Sequence, residues 1–474
     1  MRTKSTHWLR AVGAGAGLTV GLLTAGNAGA VDLTTYGFGN ARLGAAPGHV
    51  ALSPSNVGGL HTAWVRYLGG AIDGQPLVVN GVGRHHRNLV LVGTGHGKVA
   101  AINVGSGRVL WSRRLGHHSI SPSCQASPDG YFGVTETMVI DKKALRLYAV
   151  DANGKAWALN LLTGKTVHGW PVRAFPSSDF DWGGLALNDG RLYVPVASLC
   201  DRGYYFGGVR AIDVAHPHHI ARWVTIDHAK HVFGGGVWGW GGESIDAATN
   251  NVYIATGNAL PLSREDAGNS DRVVELGPLL KFIARNNPLR PPYPISDRDY
   301  GTAPTLINAR GCRPKLVAMD KVGWLWVYNR YDIKAGPKQA IHIANTTGNQ
   351  IPLYGMVAYD PGSRMMVLTT PTAPPGAAWS PGLIAFHLDR GCRFDFAWQA
   401  SYFDPPWAGS SPMIAGGVVY IGSGRNGVVR AYRLSDGSQL WSAGTGSTIF
   451  ATPSIDNKTL FVGDWRGRLW AYRP

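Results

Sequence analysis

The stretch Gly97 to Trp111 reads GKVAAINVGSGRVLW, and it recurs with variations along the chain. Gly154 to Lys165 reads GKAWALNLLTGK, Gly427 to Trp441 reads GVVRAYRLSDGSQLW, and the sequence ends on GRLWAYRP. Most copies contain a glycine, a short apolar strand, a tight turn and a second strand that ends near a tryptophan. The copies are spaced by about 40 to 63 residues, an interval typical of the four-stranded blades of a β-propeller.

Eight such units fit between Gln75 and Pro474. Each unit is predicted to form strands A to D, counted from the centre of the ring outward. Their third strands share a small or apolar anchor position: Ala101, Ala158, Ala211, Val274, Val327, Ala385, Ala431 and Ala471. The last unit stops before any strand D, and His61 to Leu68 (HTAWVRYL) resembles a strand D with nothing before it. The prediction is an all-β, eight-bladed propeller of four-stranded antiparallel blades whose last blade is closed by this N-terminal strand, which leaves no sheet edge bare.

The composition agrees with many short strands and excludes some functions. The chain has 474 residues, with 64 Gly, 17 Trp and 16% charged residues, a balance that favours strands and turns over long charged helices. The net charge is +16, yet the basic residues are scattered and form no run or helical patch. We therefore expect no nucleic-acid partner, and contact with anionic polymers of the cell envelope instead.

Residues 1–30 differ from the rest of the chain. A basic start with Arg2, Lys4 and Arg10 precedes the weakly apolar run Ala11 to Gly26, and Ala28-Gly29-Ala30 fits a signal-peptidase site. We interpret residues 1–30 as a secretory signal peptide and residues 31–474 as the propeller, secreted or located in the cell envelope or periplasm. A retained membrane anchor is the alternative, but the run is short and rich in glycine, and no later stretch is apolar enough to span a bilayer.

The repeated phrase resembles the repeat of pyrroloquinoline quinone (PQQ) dehydrogenases and of their propeller relatives, over nearly all of the mature chain. The segment Trp238 to Asn258, WGWGGESIDAATNNVYIATGN, is similar to a family segment in which Trp-Gly-Trp precedes a strand that ends in Thr-Gly-Asn. The resemblance implies that Trp238 or Trp240 stacks on the quinone and that Asn258 binds a calcium ion.

Two further segments extend the resemblance. Asp297 to Pro304 (DRDYGTAP) is similar to the family's Asp-x-Asp-Phe-Gly-x-x-Pro, which implies that Asp299 is the catalytic base. Lys321 matches the basic residue that contacts the quinone. Asp201 lies where the dehydrogenases place a glutamate ligand of calcium, and the local match is poor. The family's vicinal cysteine pair is absent.

Propeller topology provides a test of these assignments. Connections from D to A and from B to C lie on one face of a propeller, and the other two kinds lie on the opposite face. The candidate residues all fall in the first kind: Asp201, Trp238, Trp240, Asn258, Asp299 and Lys321. PQQ carries three carboxylates, so Lys321, with Arg298 or Arg425, would hold it, and Asn258 and Asp201 would supply oxygen ligands to calcium.

These residues also have purely structural interpretations. A tryptophan here can pack between blades, Asn258 is a good turn residue, and Lys321 can be a solvated charge. Two functions therefore stay open. The first is a PQQ- and calcium-dependent dehydrogenase that oxidises an alcohol or sugar and passes electrons to a separate acceptor. The alternative is a non-catalytic propeller that serves as a binding or assembly scaffold in the envelope, since such members share the repeat.

The four cysteines allow one consistent disulfide pairing. Cys124 and Cys200 fall in connections of the candidate face, whereas Cys312 and Cys392 fall in connections of the opposite face. Of the three possible pairings, only Cys124–Cys200 with Cys312–Cys392 joins cysteines on the same face. Each disulfide would join neighbouring blades.

Overall fold

The computed structural model describes residues 1, 31–120, 129–201, 203–227, 231–264, 267–289, 297–345, 355–401 and 410–474. The predicted signal peptide, apart from Met1, and Cys124 lie outside the described residues. No helix among the described residues is long and apolar enough to cross a membrane.

Eight antiparallel sheets of four strands each form within the described residues, one for each predicted blade. Strands A to D of the first four blades have the following bounds. Blade 1 contains Leu77–Val82, Arg87–Gly93, Lys98–Asn103 and Val109–Arg114, and blade 2 contains Val139–Asp141, Arg146–Val150, Lys155–Asn160 and Val172–Arg173. Blade 3 contains Ala186–Asn188, Arg191–Val196, Gly208–Asp213 and Ile220–Val224, and blade 4 contains Ser244–Ile245, Val252–Ala255, Val273–Leu276 and Phe282–Asn286.

The other four blades follow the same order. Blade 5 contains Thr305–Ile307, Lys315–Met319, Trp324–Asn329 and Gln339–His342, and blade 6 contains Ala358–Asp360, Met365–Thr370, Gly382–Leu388 and Phe394–Ser401. Blade 7 contains Met413–Ala415, Val418–Gly422, Val428–Arg433 and Gln439–Gly444. Blade 8 contains Ser454–Asp456, Thr459–Gly463 and Arg468–Arg473, with His61–Tyr67 as its strand D. All eight predicted anchor positions lie in strands C.

Short elements decorate the connections between these strands. Two small two-stranded sheets pair His118–Ser119 with Tyr131–Phe132 and Phe233–Gly234 with Ala259–Leu260. Short 3-10 helices lie at Tyr36–Phe38, Val57–Gly59, Leu199–Asp201, Leu262–Arg264 and Arg330–Ala335.

The ring closes as the sequence predicted. His61–Tyr67 pairs antiparallel with Arg468–Arg473, and His61 faces Arg473 while Tyr67 faces Arg468. The first strand of the propeller and the last therefore belong to the same sheet, and blade 8 has all four of its strands.

Contacts between neighbouring blades explain why the phrase repeats. The indole N–H of Trp111 in blade 1 donates to the carbonyl of Leu161 in blade 2 at 3.0 Å, and its ring covers Gly164, where a Cβ would lie 2.5 Å from the ring. Trp398 of blade 6 makes the same contacts with blade 7, with a 2.8 Å bond to the Leu434 carbonyl and its ring over Gly437. Both glycines have positive φ, so the turn needs glycine for its backbone and for the space the tryptophan takes.

An inner segment, residues 33–46, runs around the centre of the ring, and the sequence did not predict it. Its backbone carbonyls accept hydrogen bonds from the middle residue of strands A in several blades. These donors are Ile140 in blade 2, Leu306 in blade 5, Tyr359 in blade 6 and Ile414 in blade 7, at 2.7 to 2.9 Å. Leu33 exchanges two such bonds with Val78 of blade 1. The segment thereby ties blades that are not neighbours.

Arg42 anchors this inner segment. The side chain is fully buried and donates to the carbonyls of Glu243, Gly184 and Leu185 at 2.8 to 3.2 Å, and to the Thr35 hydroxyl at 2.7 Å. Burial lowers the pKa of Arg42 to about 10, with Glu243 opposing the shift, so its guanidinium stays charged at neutral pH.

One predicted disulfide is confirmed. Cys312 and Cys392 are bonded, with their Cα atoms 5.7 Å apart, and join the A-to-B connection of blade 5 to the C-to-D connection of blade 6. The other predicted pair includes Cys124, which lies outside the described residues.

Candidate functional site

Asp299 and Trp238 come together at the centre of the candidate face. Asp299 lies in the connection that leads to strand A of blade 5, and Trp238 in the connection that leads to strand A of blade 4. The indole N–H of Trp238 donates to Asp299 Oδ2 at 2.8 Å. The carboxylate is almost completely buried, at 2% exposure, whereas Trp238 is half-buried. Part of the indole is therefore accessible to a ligand while its N–H orients the acid.

Lys321 completes this group from the connection after strand B of blade 5. Its ammonium lies 2.6 Å from Asp299 Oδ1 and 2.8 Å from Asp297 Oδ1, and 5.0 Å from the centre of the Trp238 ring. The backbone N–H of Lys321 also donates to the Asp299 carbonyl at 2.9 Å. The side chain is only 12% exposed, so Lys321 is not the solvated charge that the structural interpretation suggested.

Burial and charge act against each other in this group. Burial raises the pKa of Asp299 to about 8, while the Lys321 ammonium opposes that shift and Asp297 adds to it. Burial alone lowers the pKa of Lys321, but the carboxylates of Asp299 and Asp297 outweigh it and raise the pKa above its usual value. Lys321 therefore stays positive at neutral pH, and Asp299 can bind and release a proton at a pH close to neutral.

The backbone of the Thr-Gly-Asn turn lies beside Asp299, whereas Asp201 is exposed. The Thr-Gly-Asn turn approaches so closely that a Cβ on Gly257 would lie 3.1 Å from Asp299 Oδ2, and Asn258 itself is 3% exposed. Asp201 is exposed and accepts a 2.6 Å hydrogen bond from Tyr205. The Tyr205 pKa is raised well above its usual value, first by burial and then by Asp201 and Asp299.

Trp240 occupies a different place from Trp238. It is 6% exposed, and its ring packs against Phe450 with 4.7 Å between ring centres. Phe450 also contacts Trp182 at 5.5 Å and Trp465 at 5.6 Å. We call these four rings the aromatic floor. Trp238 adjoins it, with its ring centre 6.4 Å from that of Trp240.

A second carboxylate, missed by the sequence reasoning, lies on the opposite side of the ring. Asp73 precedes strand A of blade 1 and accepts a hydrogen bond from the Trp465 indole at 2.8 Å. Burial raises the pKa of Asp73 to about 7, against the effect of Trp465, and Asp129 raises it further. Asp129 in turn lies 3.1 Å from His96 Nε2.

Three more acids are buried between blades 2, 3 and 4, and the sequence reasoning missed these as well. Glu136, Asp181 and Glu243 are 2%, 3% and 0% exposed, and each lies just before a strand A. Burial raises the pKa of Glu136 and of Glu243 to about 8, and it raises that of Asp181 well above its usual value, with Glu136 and Glu243 adding to the shift. These acids favour their neutral form in the folded protein.

The structure thus unites Trp238, Asp299, Lys321 and the Thr-Gly-Asn turn, places Trp240 in the floor, and leaves Asp201 exposed and bonded to Tyr205. Arg298, predicted as a further donor, is fully buried and lies 3.6 Å from Asp271. It therefore does not face the central opening of the ring on the candidate face, which we call the mouth. Across the described ranges, no group of three or more His, Cys, Asp or Glu residues is arranged to hold a metal.

The comparisons with known proteins agree with this architecture. The family model that matches is described as outer membrane protein assembly factor BamB, and it covers residues 51–196 and 395–473. Among solved structures, the quinohemoprotein alcohol dehydrogenase of Comamonas testosteroni is 18% identical with a TM-score of 0.67, over 93% of this chain and 80% of that one. No curated protein matches the chain.

Two other solved structures are similar over most of the chain. A europium-containing methanol dehydrogenase is 16% identical with a TM-score of 0.69, over 94% of this chain and 98% of that one. BamB from Moraxella catarrhalis is 13% identical with a TM-score of 0.57, over 88% of this chain and 100% of that one. At such identities the likeness shows the fold. All six candidate residues lie between the two ranges that the assembly-factor model matches.

Proposed function

Since the chain is a β-propeller of the PQQ-like repeat superfamily, we propose that it is a PQQ- and calcium-dependent dehydrogenase that oxidises an alcohol or a sugar. The observation that carries this proposal is the buried Asp299, held between the Trp238 indole and the Lys321 ammonium at one mouth of the ring. The six residues also lie in the part of the chain that the assembly-factor model does not match.

The described residues fit the quinone. Trp238 is half-buried and offers a ring for stacking, and Lys321 holds a positive charge 5.0 Å from that ring, which suits a planar ligand that carries carboxylates. When bound, PQQ supplies a two-electron acceptor next to the substrate carbon. Trp238 and Lys321 are the proposed cofactor-binding residues, whereas Trp240, the alternative to Trp238, packs against Phe450 in the aromatic floor.

Calcium is the proposed metal, and its protein ligands are few. Asn258 and Asp201 would supply oxygen ligands, of the type that a hard cation prefers. Asn258 is buried and follows Gly257, which lies close to Asp299, whereas Asp201 already accepts a bond from Tyr205. The remaining ligands would come from the cofactor and from water.

Asp299 is the proposed catalytic base. In its ionised form it takes the proton of the substrate hydroxyl, while the Trp238 N–H fixes Oδ2 and Lys321 contacts Oδ1. A raised pKa makes the carboxylate a stronger base when it is ionised. With no attachment sequence for haem in the chain, the electrons leave to a separate acceptor. We propose that the protein works outside the cytoplasm, after removal of residues 1–30.

Titration of the purified protein with PQQ, with and without calcium, tests the proposal directly. Absorbance should report saturable binding that requires calcium, and the loaded protein should bleach an electron-acceptor dye when an alcohol or sugar is added. The Asp299→Asn variant is the matched control, since it should bind PQQ and fail to bleach the dye. A wild-type protein that shows no binding with calcium present contradicts the proposal.

The alternative function is a binding or assembly scaffold in the cell envelope. It is favoured by the assembly-factor model, which matches blades 1, 2, 7 and 8 and parts of blades 3 and 6. In that case neither PQQ nor calcium changes the protein's absorbance or thermal stability, and dye reduction is absent with every alcohol and sugar tried.

A further inference from the structure

A second buried carboxylate, Asp73, lies opposite Asp299 in the ring and separate from it. Asp299 belongs to the connection before blade 5 and Asp73 to the connection before blade 1, four blades away in a ring of eight. Each acid accepts a hydrogen bond of 2.8 Å from an indole, Trp238 in one case and Trp465 in the other. The aromatic floor connects the two pairs, because the Trp465 ring contacts Phe450 and the Phe450 ring contacts Trp240.

The floor offers an apolar surface of ring faces. Phe450 is 6% exposed and lies at its centre, whereas Trp182 and Trp465 are only half-buried and present area to a ligand. Tyr36 of the inner segment packs in the same cluster, and its hydroxyl donates to Ser411 Oγ at 2.7 Å. The floor is therefore held in place by the inner segment, while Trp182 and Trp465 keep part of their surface accessible.

One polar atom in the floor lacks a partner. The indole Nε1 of Trp240 is buried, and it has no hydrogen bond within the described part of the chain, although the residue is only 6% exposed. A buried donor without an acceptor costs about 1 to 3 kcal/mol. A ligand that accepts a hydrogen bond at the floor would satisfy it.

The Asp73 carboxyl and the Trp240 N–H require opposite kinds of hydrogen-bonding partner. Asp73 needs a donor or a cation, since burial and Asp129 both disfavour its charge and its indole partner satisfies one oxygen only. Trp240 needs an acceptor. An organic cation would satisfy Asp73 alone, and a simple carboxylate would satisfy Trp240 alone. A hydroxyl group both donates and accepts, and the apolar faces of a sugar ring suit flat aromatic rings.

We propose that this mouth binds a sugar: its ring lies on the Trp465–Phe450–Trp240 floor, one hydroxyl donates to Asp73 and another oxygen accepts from Trp240. This inference rests on the proposed function, because it names the class of substrate that the proposed dehydrogenase would bind in this mouth. It narrows the choice between alcohol and sugar, and it assigns Asp73 and Trp465 to substrate recognition instead of catalysis.

Tryptophan fluorescence of the full chain, without PQQ or calcium, tests binding apart from catalysis. D-glucose and cellobiose serve as probes, with ethanol and choline chloride as comparison ligands. We expect saturable quenching by at least one of the two sugars and none by ethanol or choline. Asp73→Asn should raise the dissociation constant about tenfold, as expected for loss of a hydrogen bond to a charged group, and Trp465→Phe should raise it by a smaller factor.

Trp441→Phe is the matched control, because Trp441 donates to the Leu60 carbonyl at 2.8 Å between blades and lies outside the mouth. It should leave sugar binding unchanged, and thermal unfolding should show that all variants fold. Absence of quenching by both sugars, an unchanged dissociation constant in folded Asp73→Asn, or tighter binding of choline than of the sugars would overturn the inference. Sugar binding in a protein that fails to bind PQQ would refute the dehydrogenase and leave this site standing.

Discussion

The two tryptophan–aspartate pairs of the mouth have the same geometry and different surroundings. Trp238–Asp299 and Trp465–Asp73 share a 2.8 Å indole bond to a buried carboxylate. Asp299 has a cation at 2.6 Å, whereas no basic residue is among the influences on the pKa of Asp73, which Asp129 raises further. The first carboxylate can hold a charge next to its counter-ion, and the second has, among the described residues, only the indole donor beside it and would gain from a ligand that donates a hydrogen bond.

This difference separates two roles that a single motif can serve. An acid that must take and release a proton benefits from a fixed cation, which keeps its charged form within reach. An acid that recognises a hydroxyl group should keep one oxygen without a protein donor, because the ligand can then supply that hydrogen bond. The predictions below test this assignment, beginning with the largest effect.

Asp299→Asn should abolish most dehydrogenase activity, whereas Asp73→Asn should not. Loss of a general base lowers the rate about 100-fold to 10,000-fold, while loss of a recognition contact raises KM with a smaller change in kcat. Steady-state dye reduction by the PQQ-loaded protein measures both. Equal losses of kcat in the two variants would remove the distinction between the pairs.

Lys321→Gln should shift the pH dependence of activity. The Asp299 base must be ionised, so kcat/KM should rise as the pH increases through about 8, the raised value of its pKa. Lys321 lowers that pKa, so its removal should move the rise to higher pH. Lys334→Gln, at an exposed position, is the control and should keep the wild-type profile. A rise that stays at the same pH in Lys321→Gln would show that Asp299 is not the titrating group.

Asp73→Asn should make stability less sensitive to pH. A carboxyl whose pKa is raised in the folded state binds its proton more tightly than in the unfolded chain, so its contribution is present at low pH and is lost as the pH rises from about 4 through about 7. The free energy of unfolding should fall over this window in the wild type, and the asparagine variant should lose about 1 to 3 kcal/mol less. Urea unfolding at pH 5 and at pH 8 measures the difference. An identical fall in both proteins would contradict the assigned burial.

Trp465→Phe should have the smallest effect on stability. It keeps the ring and removes the indole donor, so the Asp73 pKa should rise further and the free energy of unfolding at pH 8 should fall by about 1 kcal/mol. At pH 5, where Asp73 is protonated in both proteins, the variant should lie closer to the wild type. A larger loss at pH 5 than at pH 8 would show that packing, and not the hydrogen bond, is the main contribution of Trp465.

The blades and their closure were predictable because their signals are local and repeated. The glycine of each turn and the tryptophan of the preceding blade recur together, as Gly164 with Trp111 shows, and His61–Tyr67 carried the same pattern. Connections of one type share a face in any propeller, so the grouping of Asp299 with Trp238 and Lys321 also followed from strand order.

The rest was not predictable, because its partners are distant and its side chains carry no pattern. Asp73 and Trp465 are separated by 392 residues, and Asp73-Gly74 has the form of an ordinary turn. The inner segment binds through its backbone carbonyls, which every residue possesses, so no periodicity marks it. Glu136 and Glu243 lie in irregular connections, where burial depends on how neighbouring blades meet.

The shared sheet of blade 8 has a consequence for the order of assembly. Residues 61–67 emerge early in synthesis, and the strand that receives them, Arg468–Arg473, emerges some 400 residues later. The early strand must stay without this partner throughout elongation. The mouth reaches its final form only when the two strands pair and close the ring. A nascent chain arrested before residue 468 would therefore contain blades and yet no closed circle.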